Sequence, residues 1–315
     1  MAIPILVLIE IPGIDLAARL TSAGLAPTFA VAPSLRAETI RLKGGRFRAV
    51  LTHGSAGLSS AELALLPGVE IICALGAGHE NIDSEATRAR GVVVTHGPGT
   101  NATTVADHAM ALLLAAVRGI VPGYDSVRRG EWAKWRVIRP LATGKRMGIM
   151  GLGTIGREIA KRGAGGFGME IGYHNRRPQD DAEFRYFQTL IDLAAWSDFL
   201  VVAAPGGGAT RGLVGAEVLR ALGPDGFLVN IARGSIVDTS ALIAALRDGT
   251  IAGAALDVVD GEPEVPADLL AQPNALITPH SAGRSPESIV AMVGMVIENL
   301  TAHFAGRPVL TPVRA

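Results

Sequence analysis

Three residues with chemically distinct side chains, Arg233, Glu262 and His280, each stand shortly after an apolar segment in the last third of the sequence. The segments lie at positions 227–231, 254–258 and 275–278. If they are strands of one open α/β sheet, their carboxyl ends share an edge, where the ligands of such folds bind. The sequence therefore predicts that a cation, an acid and a proton carrier converge at one site.

This combination suits the reduction of a 2-oxo acid. Negative charge builds on the carbonyl oxygen as a hydride reaches the carbonyl carbon, and a protonated His280 can supply a proton as general acid. Glu262, hydrogen-bonded to the other ring nitrogen, would hold the ring in place. Arg233 would clamp the substrate carboxylate or carbonyl oxygen through its planar guanidinium. A lone histidine is more often structural, so the prediction depends on all three residues standing beside a cofactor motif.

A glycine-rich motif of the dinucleotide-binding type precedes these residues. It consists of Gly151, Leu152, Gly153, Thr154, Ile155 and Gly156, between a predicted strand at 147–150 and a predicted helix from about 155. Glycines at these positions permit a tight turn and let a pyrophosphate approach the N-terminus of the helix. Such spacing also arises by chance in a glycine-rich chain, but the strand and helix around it favour a nucleotide site.

The next predicted strand is followed by Asn175, Arg176 and Arg177. NAD-binding sites carry an acid at about this distance from the motif, where it holds the ribose 2′-hydroxyl. Here the acid is missing, and the two arginines suit the oxygens of a 2′-phosphate. The sequence therefore predicts that NADP(H) is preferred. If the arginines are only solvated charges, NAD(H) is accepted as well.

Short apolar runs alternate with helix-like segments on both sides of position 100, which is typical of α/β domains with a largely parallel sheet. Strands are predicted near 3–9, 28–31, 49–52, 69–75 and 92–95, and six more follow position 146, as in one doubly wound domain. A long helix capped near Asn101 or Thr103 is predicted to link the two halves.

The stretch 118–146 is predicted to be irregular, because it contains Pro122, Gly123, Gly130, Pro140 and Gly144. It also holds Trp132 and Trp135. Long loops inside compact chains are usually functional, and tryptophan is enriched at interfaces. The stretch is interpreted as a dimer arm. The alternative is a surface excursion whose tryptophans pack on their own domain.

The composition excludes several classes of protein. The chain has 315 residues, 39 of them glycine, and its 29 Lys and Arg residues balance 29 Asp and Glu residues. This neutrality argues against nucleic acid or a membrane surface as partner. Cys73 is the single cysteine, so an intrachain disulfide or a cysteine-cluster metal site is excluded. A reducing, cytoplasmic location without a bound metal, signal peptide or membrane span is expected.

Seven motifs in order resemble the D-isomer-specific 2-hydroxyacid dehydrogenase family, above all its glyoxylate/hydroxypyruvate reductase branch. They lie at 75–83, 105–108, 151–156, 230–238, 255–263, 278–283 and 306–313. The resemblance implies two Rossmann-like α/β domains with doubly wound parallel sheets. A dinucleotide-binding domain at 98–286, with the dimer arm at about 118–146, would be inserted into a substrate-binding domain formed by 1–97 and 287–315.

The resemblance also implies a homodimer that reduces a small 2-oxo acid to the D-2-hydroxy acid. Two alternatives stay open at this point. One is an NAD(H)-linked dehydrogenase of another 2-hydroxy acid, and the other is a non-catalytic, nucleotide-sensing interaction protein.

Individual residues acquire roles from the same resemblance. The backbone N–H groups expected to hold the substrate carboxylate are those of Ser55, Ala56, Gly57, Ala77 and Gly78, and Trp135 would reach the active site of the neighbouring subunit. The cofactor contacts implied outside the glycine-rich motif are Thr104, Pro205, Thr210, Ile231, Ala232, Asp257, Ala282 and Gly283. Of these, Asp257 would meet the nicotinamide carboxamide.

Two segments depart from the family pattern. Gly206, Gly207 and Gly208 follow Pro205 where relatives carry Pro-Leu-Thr, and Gly76-Ala-Gly-His-Glu80 replaces Gly-x-Gly-x-Asp. Among the histidines, His53 is expected either to touch ligand or to shape the substrate loop. The others are interpreted as structural or surface groups: His79, His96, His108, His174 and His303.

Overall fold

The computed structural model describes residues 2–179 and 183–313, and the chain divides into two compact units. Unit 1 comprises Met1–Asn101 with Ser285–Ala315, and unit 2 comprises Ala102–Arg284. Each unit is built on a parallel sheet between helices, so the predicted fold class is confirmed. The sequence placed the boundaries at 97 and 286. The units divide a few residues away, where a long helix begins at Ala102 and where Ser285 caps the last helix.

Unit 1 contains a five-stranded sheet in the order β2-β1-β3-β4-β5. The strands are β1 (Ile3–Val7), β2 (Leu25–Phe29), β3 (Ala49–His53), β4 (Ile71–Leu75) and β5 (Val93–Thr95). The helices are α1 (Leu16–Ser22), α2 (Pro33–Lys43), α3 (Ser60–Ala64), α4 (Ser84–Ala89) and α12 (Pro286–Phe304). Apolar side chains cover both faces of the sheet, because alternate residues of a strand point to opposite faces.

Helix α2 has no counterpart among the sequence predictions. Only Thr39 and Ile40 of its residues are buried, so its apolar periodicity is too weak to be recognised. The segment after α12 lies against β5. Pro312 forms an antiparallel bridge with Thr95, and the N–H of Val313 donates to the carbonyl of Val94 over 2.8 Å.

Unit 2 contains a seven-stranded parallel sheet in the order β12-β11-β10-β9-β6-β7-β8. The strands are β6 (Arg146–Met150), β7 (Glu170–His174), β8 (Arg185–Tyr186), β9 (Phe199–Val202), β10 (Phe227–Asn230), β11 (Gly253–Leu256) and β12 (Ala275–Ile277). The helices are α5 (Ala102–Arg118), α6 (Ile120–Arg128), α7 (Thr154–Phe167), α8 (Leu190–Trp196), α9 (Ala216–Leu222), α10 (Thr239–Arg247) and α11 (Ala267–Leu270). Six strands had been predicted. The seventh, β8, is a two-residue edge strand, too short to leave an apolar pattern.

Part of the stretch predicted to be irregular is helical. Residues Ile120–Arg128 form α6 despite Pro122 and Gly123. Pro122 is tolerated because it is the third residue of the helix, where a backbone N–H has no partner within the helix. No single helix in the described part of the chain is long and apolar enough to cross a membrane. Only α5 and α6 together reach that length and composition, and they are bent by 60°.

Candidate active site

The glycine-rich loop joins β6 to α7 at the point where the strand order of the sheet reverses, which is where doubly wound folds bind nucleotides. A β-carbon on Gly151 would lie 2.6 Å from the backbone nitrogen of Ala204, and one on Gly156 would lie 2.2 Å from the carbonyl oxygen of Gly151. Gly153 caps α7, and its β-carbon position is open: within the described part of the chain, no heavy atom outside its chain neighbours and the backbone of α7 lies within 4 Å of it. This bare backbone at a helix N-terminus fits a pyrophosphate.

The residues after β7 lie beside this loop. Oδ1 of Asn175 accepts a 2.8 Å hydrogen bond from the N–H of Leu152, so Asn175 fixes the shape of the glycine-rich loop. Arg176 and Arg177 are exposed. A third arginine was missed in the sequence, although it directly follows the motif: Nη2 of Arg157 donates to Oε1 of Gln179 over 3.4 Å. The guanidinium groups of these arginines are suited to binding a phosphate monoester.

The loop after β9 carries Pro205 and Thr210. The hydroxyl of Thr210 donates to the carbonyls of Pro205 and Gly207, over 2.8 and 3.2 Å, and so closes a turn. Gly207 has φ 128°, a conformation that favours glycine. The side-chain stem of Arg233 lies against Gly206. The departure from the Pro-Leu-Thr pattern thus coincides with close packing of Arg233.

His280 and Glu262 meet at the carboxyl edge of the sheet. Nδ1 of His280 lies 2.5 Å from Oε1 of Glu262, and both side chains are about one-third exposed. Burial alone would raise the pKa of the Glu262 carboxyl. The hydrogen bond from His280 and the nearby positive charges of His280 and Arg233 outweigh burial and hold that pKa below its ordinary value. Among the described residues, His280 is the one non-glycine residue with positive φ, at 50°. Strained backbone of this kind clusters at functional sites.

Asp257 organises the turn that carries His280. Its side chain is 1% exposed and accepts hydrogen bonds from the N–H groups of Ser281 and Ala282, over 2.9 and 2.8 Å, and from the hydroxyl of Thr278 over 2.6 Å. Nε2 of His108 lies 3.4 Å from the same carboxylate. Asp257 therefore has a structural role in this turn beside the cofactor contact predicted for it.

His108 had been interpreted as structural or surface. The motif at 105–108 contributed to the family resemblance but did not indicate that His108 contacts Asp257 and Thr278. The buried amide of Asn230 similarly fixes the turn of Arg233: its Nδ2 donates to the carbonyl of Arg233 over 3.0 Å, and its Oδ1 accepts from the N–H of Ala232. The neighbouring cofactor candidates Ile231, Ala232 and Ala282 are buried, Thr104 lies in the first turn of α5, and Gly283 follows Ala282.

In unit 1, the loops after β3 and β4 lie against each other. A β-carbon on Gly54 would lie 2.7 Å from the carbonyl carbon of Gly78, and Nδ2 of Asn81 donates to the carbonyl of Ser55 over 3.1 Å. Two of the backbone N–H groups predicted to bind the substrate carboxylate instead donate hydrogen bonds within the loop after β3. The N–H of Ala56 donates to Nδ1 of His53 over 3.1 Å, and that of Gly57 donates to the carbonyl of His53 over 2.8 Å.

The other three predicted carboxylate donors are the N–H groups of Ser55, Ala77 and Gly78. Among the hydrogen bonds of residues 2–179 and 183–313, none has the N–H group of Ser55, Ala77 or Gly78 as its donor. These three N–H groups are the candidates that remain for binding an anion. Nδ1 of His53 accepts from the N–H of Ala56 and so contributes to the shape of the loop.

Trp135 lies within unit 2. The guanidinium of Arg139 stands 5.4 Å from the centre of its ring, and both residues line a cavity of about 360 Å³ together with α5, α6 and residues 272–276. Trp132 is exposed. Among the described residues, no group of three or more His, Cys, Asp or Glu side chains could hold a metal ion.

A doubly wound sheet with a glycine-rich nucleotide loop and a His–Glu pair at the same edge defines a nicotinamide-nucleotide-dependent oxidoreductase. A model described as "D-isomer specific 2-hydroxyacid dehydrogenase, NAD binding domain" matches residues 110–282. The chain belongs to the D-isomer-specific 2-hydroxyacid dehydrogenase family, as the sequence motifs had indicated.

Its relatives include a 2-ketogluconate reductase of Gluconobacter oxydans, 37% identical over 292 residues that cover 92% of this chain and 93% of the relative. A glyoxylate/hydroxypyruvate reductase of Arabidopsis thaliana is 40% identical, with coverage of 84% and 85%. Among solved structures, an NADPH-dependent glyoxylate/hydroxypyruvate reductase from Sinorhizobium meliloti, in complex with NADP and malonate, has a TM-score of 0.91. It is 36% identical, and the match covers 99% of this chain and 97% of that one.

Proposed function

We propose that this chain reduces a small 2-oxo acid, such as glyoxylate or hydroxypyruvate, to the D-2-hydroxy acid with NADPH as hydride donor. The observation that carries the proposal is the contact between His280 and Glu262 at the sheet edge that also carries the glycine-rich loop. The names of the relatives support the substrate class, and the Sinorhizobium meliloti structure supports the cofactor.

The cofactor supplies a hydride, and this chain supplies the proton and the positioning. Because Nδ1 of His280 is engaged by Glu262, Nε2 is the ring nitrogen assigned to the substrate oxygen. It donates a proton as negative charge develops on that oxygen. Arg233 places a guanidinium beside the pair and stabilises the same charge. Asp257 and Asn230 hold the turns that present these side chains.

Unit 2 is proposed to bind the cofactor, and the matched NAD-binding model falls within it. Arg176 and Arg177, with Arg157 nearby, favour the 2′-phosphate of NADPH. Steady-state kinetics with both cofactors test this preference. Arg176→Ala should raise the KM for NADPH about tenfold and leave the KM for NADH within a factor of two. Arg220→Ala, at an exposed arginine of α9, is the matched control. A wild-type preference for NADH would contradict the assignment.

Unit 1 is proposed to bind the substrate carboxylate through the N–H groups of Ser55, Ala77 and Gly78. The support is geometric, since these donors lie on two touching loops and donate no hydrogen bond within the described residues. Backbone N–H groups on such concave loops are suited to anions. The N–H groups of Ala56 and Gly57 leave the proposed set because His53 already engages them.

A homodimer formed through the arm is also proposed. Large apolar side chains stand exposed on α6 and the arm: Ile120, Tyr124, Val127, Trp132, Val137, Ile138 and Leu141. An exposed apolar set of this size marks an interface. Ile138 is fully exposed, so Ile138→Asp should produce a monomer in sedimentation without loss of fold. Loss of turnover on Trp135→Ala would support its proposed contact with the neighbouring active site. A monomeric wild-type chain would contradict the interface.

The proposed activity is tested by following NADPH oxidation with glyoxylate, hydroxypyruvate, 2-ketogluconate and longer 2-oxo acids. We expect turnover with at least one of them, and His280→Ala should abolish most of it while NADPH binding is retained. NADPH binding without turnover on any acid would favour a nucleotide-sensing protein. Near-normal turnover in His280→Ala would overturn the role of His280.

A further inference from the structure

We propose that His96 is a positioning residue for the substrate carboxylate, acting on the carbonyl oxygen of Ala77 from the side opposite to the Gly78 N–H. The inference rests on the proposed function, because it takes the Ala77–Gly78 loop as the carboxylate site. His96 had been interpreted as structural or surface, and the motifs of the sequence gave it no role in the chemistry.

The contact joins two loops at the carboxyl ends of neighbouring strands. Nδ1 of His96, which follows β5, lies 2.9 Å from the carbonyl oxygen of Ala77, which follows β4. A carbonyl oxygen only accepts hydrogen bonds, so Nδ1 of His96 carries the proton. The carbonyl of Ala77 and the N–H of Gly78 are opposite ends of one planar peptide group. A donor at the oxygen end therefore fixes the direction of the N–H and polarises it toward an anion.

A second histidine supports the first. Nδ1 of His79 lies 3.4 Å from the same oxygen of Ala77, and the rings of His79 and His96 pack edge to face with centroids 4.9 Å apart. The longer contact is the weaker hydrogen bond. The ring of His79 thus acts mainly by packing against the ring of His96, which restricts the orientation of His96.

The backbone of His96 is held on both sides. Its N–H donates to the carbonyl of Thr311 over 3.2 Å, and its carbonyl accepts from the hydroxyl of Thr311 over 2.5 Å. The next residue ties the two loops directly, since the N–H of Gly97 donates to the carbonyl of Gly76 over 2.6 Å. A side chain on a backbone fixed in this way positions its partner with little freedom, as a preorganised site requires.

The test compares His96→Asn with His96→Leu. The amide nitrogen of asparagine stands where Nδ1 of histidine stands and can donate to Ala77, whereas leucine cannot donate. For His96→Leu we expect the KM for glyoxylate to rise about five- to tenfold, with kcat within a factor of two and NADPH affinity unchanged. His96→Asn should lie within a factor of two of wild type. His303→Leu, a histidine on α12 of the same unit, is the matched control.

Two further measurements keep the outcome decisive. If His96→Leu does not fold, His96→Gln replaces it, because the longer glutamine moves its amide away from the Nδ1 position and should raise the KM where His96→Asn does not. Oxalate binding, measured by calorimetry with NADP present, tests the carboxylate site without turnover. The inference is overturned if the leucine or glutamine variant binds substrate and oxalate like wild type, or if His96→Asn is impaired equally. A wild-type chain that binds oxalate but reduces no 2-oxo acid would refute the proposed function instead.

Discussion

Gly206 and the side chain of Arg233 are in close contact: a β-carbon on Gly206 would lie 2.7 Å from Cγ and 3.3 Å from Cβ of Arg233. Real β-carbons essentially never show the shorter distance, so alanine at 206 requires either the stem of Arg233 or the loop after Pro205 to shift in this chain. The run of glycines after Pro205 therefore bears on the chemistry of the site, because its first member leaves room for the guanidinium stem.

Gly206→Ala should lower kcat/KM for 2-oxo acid reduction by about ten- to hundredfold, since a displacement of about 1 Å at a positioning group has effects of that size. Gly208→Ala is the matched control in the same loop, because no described residue other than its chain neighbours has a heavy atom within 4 Å of its β-carbon position. Its kcat/KM should stay within a factor of two of wild type. Equal kinetics in the two variants would show that the contact with Arg233 has no catalytic consequence.

The ionisation of Glu262 should determine how kcat/KM falls at acid pH. Its pKa lies below the ordinary value because His280 and Arg233 outweigh burial. Glu262 is therefore ionised at and above the pH range in which carboxyl groups ordinarily titrate. It becomes protonated only as the pH falls through the lowered pKa. We expect kcat/KM for reduction to show no break from Glu262 between about pH 7 and pH 5, and to fall only below about pH 4.3.

The assignment of that break is checked with Glu262→Gln. The amide does not titrate, so the acid fall should disappear, while the plateau drops by about a hundredfold because the ring of His280 loses its ionic partner. Circular dichroism at each pH serves as the control for unfolding. A break near pH 6 that vanishes in Glu262→Gln would mean that the carboxyl pKa is raised, contrary to the structure.

The fold, and the meeting of Glu262 with His280 at one sheet edge, were accessible from the sequence for a physical reason. Buried parallel strands leave continuous apolar runs, and polar residues directly after them are placed at one sheet edge by topology alone. Arg233, Glu262 and His280 could therefore be named before any contact was known. Helix α2 and strand β8 could not, because two buried residues or a two-residue strand produce no periodicity.

The supporting residues could not be predicted because their partners are remote in sequence. His108 meets Thr278 across 170 positions, and Thr311 meets the carbonyl of His96 across 215. Similarly, the hydrogen bonds from the N–H groups of Ala56 and Gly57 to His53 depend on the turn that the loop adopts. Residue type and spacing indicate which groups could do chemistry, whereas the choice among backbone donors depends on three-dimensional contacts.

Cys73 should be unreactive in the folded protein. Burial raises the pKa of its thiol to about 12, and the hydrogen bond from Thr95, 3.1 Å long, opposes this only weakly. Thiol reagents attack the thiolate, so native protein at pH 8 should remain unlabelled, and denatured protein should take up one label per chain. The raised pKa also contributes stability below the unfolded thiol pKa of about 8.5, which is lost as the pH rises toward 12. Rapid labelling of the native chain would contradict this burial.

Asn299 should be among the residues on which the stability of unit 1 depends most. Its buried amide, 1% exposed, accepts from the N–H groups of Leu310 and Thr311 over 2.9 and 3.2 Å, and donates to the hydroxyl of Thr311 over 2.9 Å. Asn299→Leu would leave these polar groups without their partner, which should lower the free energy of unfolding by about 2–4 kcal/mol. Glu298→Leu, at the exposed neighbouring position of α12, is the matched control and should change it by less than about 0.5 kcal/mol.

The two units carry separate probes for this measurement. Cys73 lies in unit 1, whereas all three tryptophans, Trp132, Trp135 and Trp196, lie in unit 2. In a denaturant titration of Asn299→Leu, the midpoint for labelling of Cys73 should fall, and the midpoint for tryptophan emission should stay near that of wild type. If instead both midpoints fall together, the two units unfold as one cooperative body. If neither moves, the hydrogen bonds of Asn299 to the chain segment after α12 contribute nothing to stability, and the contacts of that segment with β5 and His96 are sufficient to hold it.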